Sequence, residues 1–292
     1  MNAVLIIDKP AGFTSHDVVA RVRRILQQRA VGHLGTLDPM ATGVLPLVIG
    51  NLTRLAQFYL KAEKIYEGVI RFGFATDTYD AEGEPSAAPQ EPTLTLEQVR
   101  ELATKFTGVI EQMPPPYSAK KIGGVPAYKL ARKKKEVALN SVQVEIKQFD
   151  IRSMEGCSAN FQACVASGTY MRSVAHDMGQ LAGCGAHLQS LRRTAVAEFV
   201  IEDSHTLEQL EEAVHNGEAL TDIFVHPRKL LPFLPAVSAT DEMVSRIRHG
   251  RPVNLPELSR AREVKVFSSQ RDLLAICTRV AGTLFHPKIV LL

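Results

Sequence analysis

The sequence predicts an α+β protein with a mixed sheet, a class that three features of the chain indicate. Its 292 residues are 45% hydrophobic, which is enough for one large domain with a substantial core and a smaller domain. Short apolar segments typical of strands recur along the whole chain. The helices predicted between them do not alternate regularly with the strands, which argues against a βαβ architecture.

The first predicted strand is Val4 to Ile7, an unbroken apolar stretch. Helices are expected where a threonine is followed, at capping-box spacing, by a side chain that can bond back to its backbone, as at Thr14 and Thr95. The predicted helices cover residues 14–28, 51–60, 95–106, 169–181 and 206–215. The further predicted strands cover residues 44–49, 65–72, 141–146, 158–166, 188–193 and 196–201.

Two proline-rich stretches divide the chain further. The run at 114–116 is a stiff break before an excursion from the core over residues 117–136, which carries many lysine and arginine side chains. Residues 227–235 connect to a C-terminal module with strand-like segments at 264–267 and 273–277. The predicted domains are residues 1–230 and 231–292.

Positive charge is concentrated in two regions, although the net charge of the whole chain is only +3. From residue 232 to residue 292 there are nine basic and five acidic side chains. The second basic region is the run at 129–135 within the excursion. Two such patches are typical of a protein that binds a polyanion, while the basic run alone is equally typical of a solvated helix surface.

The sequence lacks the signals of a metal site, a disulfide framework or a membrane protein. Its four cysteines form no C-x-x-C pair, so neither zinc nor disulfides are expected, and the predicted location is the reducing cytoplasm. No apolar run is long enough to span a membrane, and Met1 to Asp8 does not have the pattern of a signal peptide. Because nothing matches a nucleotide-binding loop either, no cofactor is predicted.

The most distinctive segment is the run Gly32-His33-Leu34-Gly35-Thr36-Leu37-Asp38-Pro39-Met40-Ala41-Thr42-Gly43. It places the single carboxylate of Asp38 in a turn between glycines, directly before a predicted strand. Functional residues are often carried on such loops. By local chemistry alone, however, an aspartate before a proline is more often an ordinary turn former.

This run closely resembles the central motif of the TruB-type tRNA pseudouridine synthases, and other segments match the same family in the same order. In chain order they resemble its N-terminal motif, its active-site tyrosine strand, the loop after that strand, its RNA-gripping insertion and the motif that carries its catalytic arginine. The match of the loop is weaker than the others. The segments are residues 8–16, 64–68, 76–83, 115–132 and 167–194.

The resemblance implies the pseudouridine synthase fold, with a largely antiparallel central sheet flanked by helices. The C-terminal module at 231–292 matches the family only loosely, but its basic balance and strand-like segments are compatible with a small PUA-like RNA-binding domain, with a stabilising cap as the alternative. The resemblance also implies isomerisation of the T-loop uridine of tRNA, position 55 in tRNA numbering, by base flipping. The catalytic roles fall on Asp38 as the carboxylate that acts at the sugar and on Arg172 as its cationic partner. Tyr66 is implied to stack on the base and to assist proton transfer.

Other residues are implied to bind the substrate or to support its site. His33 would occupy the space that the flipped base vacates, and Leu191 would pack against the base. Lys9 and Pro10 would support the wall of the site. The expected partner is thus the T arm of tRNA, bound by a monomer with no metal, cofactor or membrane. The basic side chains of the insertion that would grip the T arm include Lys120, Arg132 and Lys133.

Two other function classes stay open at this level. An RNA-binding protein that folds tRNA would need the basic patches but not the catalytic residues, and both activities can coexist. A hydrolase could use Ser15 with His16, or Ser118, together with Asp38, although no G-x-S-x-G motif is present.

One position departs from the family pattern. Ala197 stands where the family often has glycine, and we expect little consequence of this difference.

Overall fold

The computed structural model describes residues 1–117, 121–122, 125–126 and 140–291. Its strands are β1 (Ala3–Lys9), β2 (Val31–His33), β3 (Thr42–Ile49), β4 (Lys64–Phe72), β5 (Gly108–Gln112), β6 (Lys121–Ile122), β7 (Val125–Pro126), β8 (Val142–Glu155), β9 (Ser158–Val165), β10 (Ala186–Val196), β11 (Phe199–Val200), β12 (Ala236–Ser238), β13 (Val253–Asn254), β14 (Glu263–Phe267), β15 (Leu273–Ala281) and β16 (Leu284–Val290). The α-helices are α1 (Ser15–Ile25), α2 (Leu96–Thr104), α3 (Met171–Ala182), α4 (Leu207–His215) and α5 (Asp241–Arg248). The 3₁₀ segments are Gly50–Tyr59, Ile201–Asp203 and Pro227–Lys229.

A nine-stranded central sheet has the order β1-β3-β10-β4-β9-β8-β5, with β2 paired to β3 and β11 paired to β10. All neighbours are antiparallel except β3 and β10, which run parallel where Arg193 lies beside Gly43. The predicted mixed, largely antiparallel sheet is therefore confirmed. Because β3, β10 and β4 lie side by side, the loop before β3 comes close to Tyr66 on β4 and Leu191 on β10.

Three helices begin with a threonine capping box. Thr14, Thr95 and Thr206 each accept a hydrogen bond from the third helical residue, whose side chain accepts one from the threonine backbone. These bonds satisfy donors that a helix start otherwise leaves unpaired, and a cap contributes about 1 kcal/mol. The predicted starts of these helices are confirmed, while α1 ends at Ile25, before its predicted end at residue 28.

Helix α3 packs closely on the central sheet because Gly179 has no side chain. A Cβ atom there would lie 2.0 Å from the backbone nitrogen of Ala186, so no larger residue fits without a shift of the backbone. The first turn of the helix is buried and includes Arg172, which is therefore held in the interior. The helix ends at Gly183, whose φ of 74° is the left-handed conformation common at helix ends.

The C-terminal part of the chain forms a five-stranded sheet in the order β12-β14-β15-β16-β13. Strands β14 and β15 confirm the two predicted there, whereas β16 has no counterpart among the predicted elements. One hydrophobic cluster includes residues of both sheets, among them Val4 and Phe199 from the central sheet and Phe267 and Ile276 from the second. The second sheet is thus joined to the first through a shared core.

Several elements differ from the predictions because strand pairing at long range decides their length. Residues 186–200 form one long strand, β10, and its short hairpin partner β11, instead of the two equal strands predicted at 188–193 and 196–201. Strand β8 continues to Glu155 because its second part, from Ile146 onward, pairs with β9, while its first part pairs with β5. Residues 50–59 form a 3₁₀ segment instead of an α-helix.

Most of the excursion at 117–136 lies outside the described residues, and within it β6 pairs with β7.

Candidate active site

The segment with Asp38 is a loop between β2 and β3, and a fully buried arginine on β10 holds its backbone. The guanidinium of Arg193 donates to the carbonyl oxygens of Gly35 (3.0 Å), Thr36 (3.3 Å) and Val44 (2.8 Å). All three acceptors belong to the backbone, so Arg193 sets the path of the loop without binding a carboxylate. Gly35 has a φ of 133°, which favours glycine.

A buried lysine supports the same loop from β1. The Nζ atom of Lys9 donates to the carbonyl oxygens of Pro10 (2.8 Å), Phe13 (2.6 Å) and Pro39 (3.1 Å). Burial lowers the pKa of Lys9 to about 8, although the charge of the nearby Asp38 acts in the opposite direction. The ammonium therefore ties the residue after Asp38 to the N-terminal segment.

The carboxylate of Asp38 is bound side-on by an arginine of α3. The Nε atom of Arg172 lies 2.8 Å from Oδ2 of Asp38, and its Nη2 atom donates to Oδ1 at 3.1 Å. The arginine side chain is 4% exposed and the aspartate side chain 35% exposed, so the carboxylate reaches open space while its partner is buried. Nη2 forms the hydrogen bond, whereas Nε has no hydrogen-bond partner among the described residues and adds a close charge contact, and the two contacts together orient the carboxylate.

A second carboxylate, that of Asp80, lies 3.5 Å from the Nη1 atom of Arg172. Its Oδ1 atom accepts hydrogen bonds from the hydroxyl of Thr78 (2.6 Å) and the backbone of Glu82 (3.1 Å). Arg172 also donates to the carbonyl oxygens of Thr78 and Tyr117. Two carboxylates and two carbonyl groups surround the guanidinium, which is why this cation can be buried.

The loop that carries Asp80 is held against α3 by a stacked pair of rings. Tyr79 lies on His176, with ring centroids 3.7 Å apart and planes inclined by 17°. Tyr79 has a φ of 67°, a conformation that costs a residue with a side chain about 1–2 kcal/mol. Burial lowers the pKa of His176. Sequence reasoning missed Asp80 and this stack, and their signal in the sequence was the weaker match of residues 76–83 to the family loop.

Asp38 lines two cavities. The first has a volume of about 240 Å³, and Asp38 and Arg172 line it together with Tyr66 and Leu191. The rest of its lining includes Gly35, Lys64 and residues 167–171. The second has a volume of about 640 Å³. Its lining includes Thr14, His16, His33, Asp80, Glu82 and Tyr117.

His33 faces the second cavity and not the first. Its Nδ1 atom accepts a hydrogen bond from the backbone N–H of Gly35 at 3.3 Å, which fixes the ring beside the loop. Burial lowers the pKa of His33, and the positive charge of Arg193 acts in the same direction. The ring is therefore neutral near pH 7.

The chemical groups of the site are carboxylates, guanidinium and ammonium groups, imidazoles and phenols. Among the residues that the structure describes, no three His, Cys, Asp and Glu side chains are grouped to hold a metal ion. No helix in the described part of the chain is long and apolar enough to cross a membrane.

Comparison with known proteins identifies the family. Residues 23–171 match the model of the TruB family pseudouridylate synthase N-terminal domain, and residues 172–231 match the tRNA pseudouridylate synthase B C-terminal domain. The chain belongs to the TruB family of pseudouridylate synthases. The tRNA pseudouridine synthase B of Solibacter usitatus is 48% identical to it over 100% of both chains. That of Geobacter sulfurreducens is 41% identical over 86% of this chain and 83% of its own.

Solved structures support the same assignment. A chain from the crystal structure of a Cbf5-Nop10-Gar1 complex superposes with a TM-score of 0.73 and 25% identity, over 99% of this chain and 85% of that chain. The structure of an H/ACA RNP bound to a substrate RNA gives a TM-score of 0.72 at 24% identity, over 99% and 85% of the two chains. The predicted pseudouridine synthase fold is thereby confirmed.

Membership of the TruB family favours the catalytic function over an RNA-folding protein without chemistry, and the geometry argues against a serine hydrolase. The Oγ atom of the buried Ser15 accepts from the backbone N–H of Leu37 (2.8 Å) and donates to its carbonyl (3.2 Å). This hydroxyl is engaged with the Asp38 loop, while His16 is exposed. Ser118 lies outside the described residues.

The predicted substrate residues fall into three groups. Leu191 lines the first cavity and His33 the second. Lys9 and Pro10 line neither cavity. The ammonium of Lys9 joins the carbonyl oxygens of Pro10 and Pro39, so Lys9 contacts the Asp38 loop and Pro10 is linked to it through this lysine. The residues that lie outside the described part of the chain are Lys120, Arg132 and Lys133.

Ala197, which departs from the family pattern expected from the sequence, lies in the turn between β10 and β11. Its φ is 49°, in the left-handed region that disfavours a side chain by about 1–2 kcal/mol. The substitution thus has a local backbone cost that the sequence did not predict.

Proposed function

We propose that this chain isomerises the uridine at position 55, in the T loop of tRNA, to pseudouridine. The observation that carries the proposal is the carboxylate of Asp38, which Arg172 binds side-on at a cavity completed by Tyr66 and Leu191. The relatives named tRNA pseudouridine synthase B supply tRNA as the substrate class. A cavity of about 240 Å³ has room for a single pyrimidine base.

The reaction breaks the bond between N1 of the base and C1′ of the ribose and forms one between C5 and C1′. Asp38 either attacks C1′ to form an ester or stabilises the cationic or glycal intermediate that follows bond cleavage. The base leaves with the bonding electron pair on N1, turns in the cavity and bonds through C5. The proton lost from C5 is matched by one gained at N1, so the product is an isomer of the substrate.

Arg172 supplies the positive charge that balances the Asp38 carboxylate in a site that the bound base closes to water. Burial of a lone charge costs free energy, and a paired charge of opposite sign offsets that cost. The guanidinium stays charged, and its planar fork matches the two carboxylate oxygens. Asp80 contacts the same guanidinium and holds it toward Asp38.

Tyr66 and Leu191 are assigned to the base. They lie on the neighbouring strands β4 and β10, and both line the cavity beside Asp38. The ring of Tyr66 offers a stacking surface, and its hydroxyl can take part in removal of the C5 proton. Leu191 adds an apolar contact from the adjacent strand.

The target uridine must leave the folded T loop before it reaches Asp38, because its C1′ and C5 are inaccessible there. His33 lines the cavity on the other side of the Asp38 loop, where a side chain can take the space of the extruded base. Lys9 and Pro10 are assigned to the support of that loop during extrusion.

The rest of the tRNA is assigned to basic surfaces that contact its backbone. The C-terminal unit at 231–292 is proposed as a PUA-like RNA-binding domain beside a catalytic domain at 1–230, in a cytoplasmic monomer. Its nine basic and five acidic side chains from residue 232 onward support this role. The insertion residues proposed to bind the T arm are Lys120, Arg132 and Lys133.

Release of tritium from tRNA labelled at uridine C5 tests the proposal, because C5 loses its hydrogen when the new bond forms. We expect release from an unmodified transcript and none from a matched transcript with cytidine at position 55. Equal release from both transcripts would assign the activity to another uridine. Release from neither would contradict the proposed reaction.

A further inference from the structure

Lys64 lines the cavity at Asp38, and the reaction steps above leave it without a role. It is the first residue of β4 and lies on the same face of that strand as Tyr66. The residue is only 8% exposed, although lysine is almost never buried without a partner. A buried ammonium in the wall of an RNA-binding cavity therefore needs an explanation.

The ammonium of Lys64 has no carboxylate beside it. Its Nζ atom donates to the carbonyl oxygen of Ala62 at 2.8 Å, and it forms no ion pair with any residue in the described ranges. Burial and the charge of Arg193 lower its pKa to about 8. An ammonium has three donors, so the described residues leave two for a group that enters the cavity.

The other buried cations around the Asp38 loop are occupied by the protein itself. Lys9 donates to three carbonyl oxygens, and Arg193 donates to three others. Arg172 is balanced by two carboxylates. Of these four cations, Lys64 is the one that lines the cavity and has no carboxylate partner among the described residues.

Positive charge exceeds negative charge beneath one point of the loop. A Cβ atom on Gly35 would lie 3.7 Å from Cε of Lys64 and 3.5 Å from Nη1 of Arg193, so both cations lie under this residue. Neither has an acidic partner among the residues that the structure describes. Burying like charges together costs free energy in the free protein, and a bound anion removes that cost.

We propose that Lys64 binds a phosphate group of the RNA strand, one of the two that flank the flipped nucleotide. The inference rests on the proposed function, because a base in the cavity brings its own phosphates to the cavity wall. Phosphate is the anion that every nucleotide carries, and lysine is a common partner for it. Lys64 is then a binding residue that positions the nucleotide against Asp38, and it takes no part in bond cleavage.

The salt dependence of RNA binding tests the proposal. The dissociation constant for an unmodified T-arm stem-loop is measured against salt concentration for wild type, Lys64→Met and Lys105→Met. Lys105 is exposed at the end of α2 and lines neither cavity, so its variant is the matched control. Methionine keeps the length of the side chain and removes its charge.

Loss of one phosphate contact lowers the slope of log Kd against log salt concentration by about 0.7–0.9 and the affinity about tenfold at low salt. We expect this change for Lys64→Met and no change for Lys105→Met. A salt slope for Lys64→Met equal to that of the wild type would overturn the proposal, because a purely structural lysine does not alter counterion release.

Neutral phosphates in the RNA identify the contact without relying on the folding of a variant. A methylphosphonate is placed singly on the 5′ or the 3′ side of the target uridine. We expect one of the two RNAs to bind the wild type about tenfold more weakly. With Lys64→Met, the modified RNA should bind almost as tightly as the unmodified RNA, because the contact is already lost. With Lys64→Arg, the modification should weaken binding about tenfold, as it does with the wild type. No loss with the wild type, or an equal loss with Lys64→Met, would contradict the proposal.

These binding measurements separate the role of Lys64 from the proposed reaction. If the wild type releases no tritium from tRNA, the reaction assignment fails. The salt slopes on the same stem-loop then still decide whether Lys64 contacts a phosphate.

Discussion

Two buried arginines hold the Asp38 loop by different means. Arg193 donates to three backbone carbonyl oxygens and binds no carboxylate. Arg172 instead binds the carboxylates of Asp38 and Asp80. The first sets where the loop lies, and the second sets the direction and charge environment of the one carboxylate that the loop carries. The position of Asp38 and the charge around its carboxylate therefore depend on different side chains. Substitutions of Arg193 and Arg172 should affect the two properties separately.

Arg192 gives a third case beside Arg193 on β10. Because side chains alternate across a strand, the two neighbouring arginines point to opposite faces of the sheet. Arg192 pairs with Asp8 at 2.7 Å, and its side chain is 41% exposed. Ion pairs at such exposure contribute about 0–1 kcal/mol, so Arg192 is a natural control for both buried arginines.

Arg193→Met is expected to have the largest effect, and the effect is on stability. The variant leaves three backbone carbonyl groups without their donor, that of the buried Val44 and those of the loop residues Gly35 and Thr36, whose hydrogen bonds are partly buried, which costs about 2–3 kcal/mol in the free energy of unfolding. Urea unfolding measures the loss. The control Arg192→Met should lose less than about 1 kcal/mol. Equal losses of unfolding free energy in the two variants would show that the buried Arg193 contributes no more to stability than the exposed Arg192.

Arg172→Lys is expected to affect catalysis more than stability. Lysine keeps the positive charge but lacks the fork that reaches both oxygens of Asp38, so the carboxylate is no longer held in direction. We expect kcat for tritium release to fall about 100-fold, with a smaller stability loss than Arg193→Met. Proportionate losses of activity and stability in both variants would show that the two arginines have one common role.

Asp80→Asn sharpens the comparison at the second carboxylate of Arg172. Asparagine can still accept from the Thr78 hydroxyl and the Glu82 backbone, so the loop keeps its shape while the guanidinium loses one negative charge. We expect kcat to fall about tenfold with a smaller change in KM. The control is Asp77→Asn, whose exposed carboxylate accepts from the Glu84 backbone and should leave kcat unchanged. An unchanged kcat for Asp80→Asn would show that the charge of Asp80 does not contribute to catalysis, and that the ion pair of Asp38 with Arg172 is sufficient.

Ala197→Gly is expected to have the smallest effect, at the end of the strand that carries Arg193. Glycine removes the side chain from a residue with a φ of 49°, and we expect a stability gain of about 0.5–1 kcal/mol without a change in kcat. The control Ala236→Gly, at the exposed first residue of β12, should instead lose about 0.5–1 kcal/mol. A loss of stability in Ala197→Gly would contradict the strain assigned to this turn.

Local sequence patterns were sufficient to predict the elements that residues close in sequence determine. The helix starts at Thr14 and Thr95 follow from residues within one turn of helix, and the structure confirms both capping boxes. The loop around Asp38 follows from its glycines and proline. The pairing of Asp38 with Arg172 came from the family resemblance, because no property of either segment alone brings the two together.

The rest depends on contacts between distant segments. Which of the adjacent Arg192 and Arg193 is buried depends on the parallel pairing of β10 with β3, which no local pattern predicts. The burial of Lys64 and the contact of Asp80 with Arg172 likewise need the assembled sheet. The sequence therefore indicates the reacting groups better than the residues that hold them.

The central claim is that the Asp38 carboxylate performs the chemistry, and single-turnover tritium release by Asp38→Asn tests it most directly. Asparagine keeps the size of the side chain but removes the charge that acts at C1′. The account predicts no release above background, with tRNA affinity within about twofold of the wild type, since the loop is held by Arg193 and Lys9. Release at the wild-type rate would contradict it.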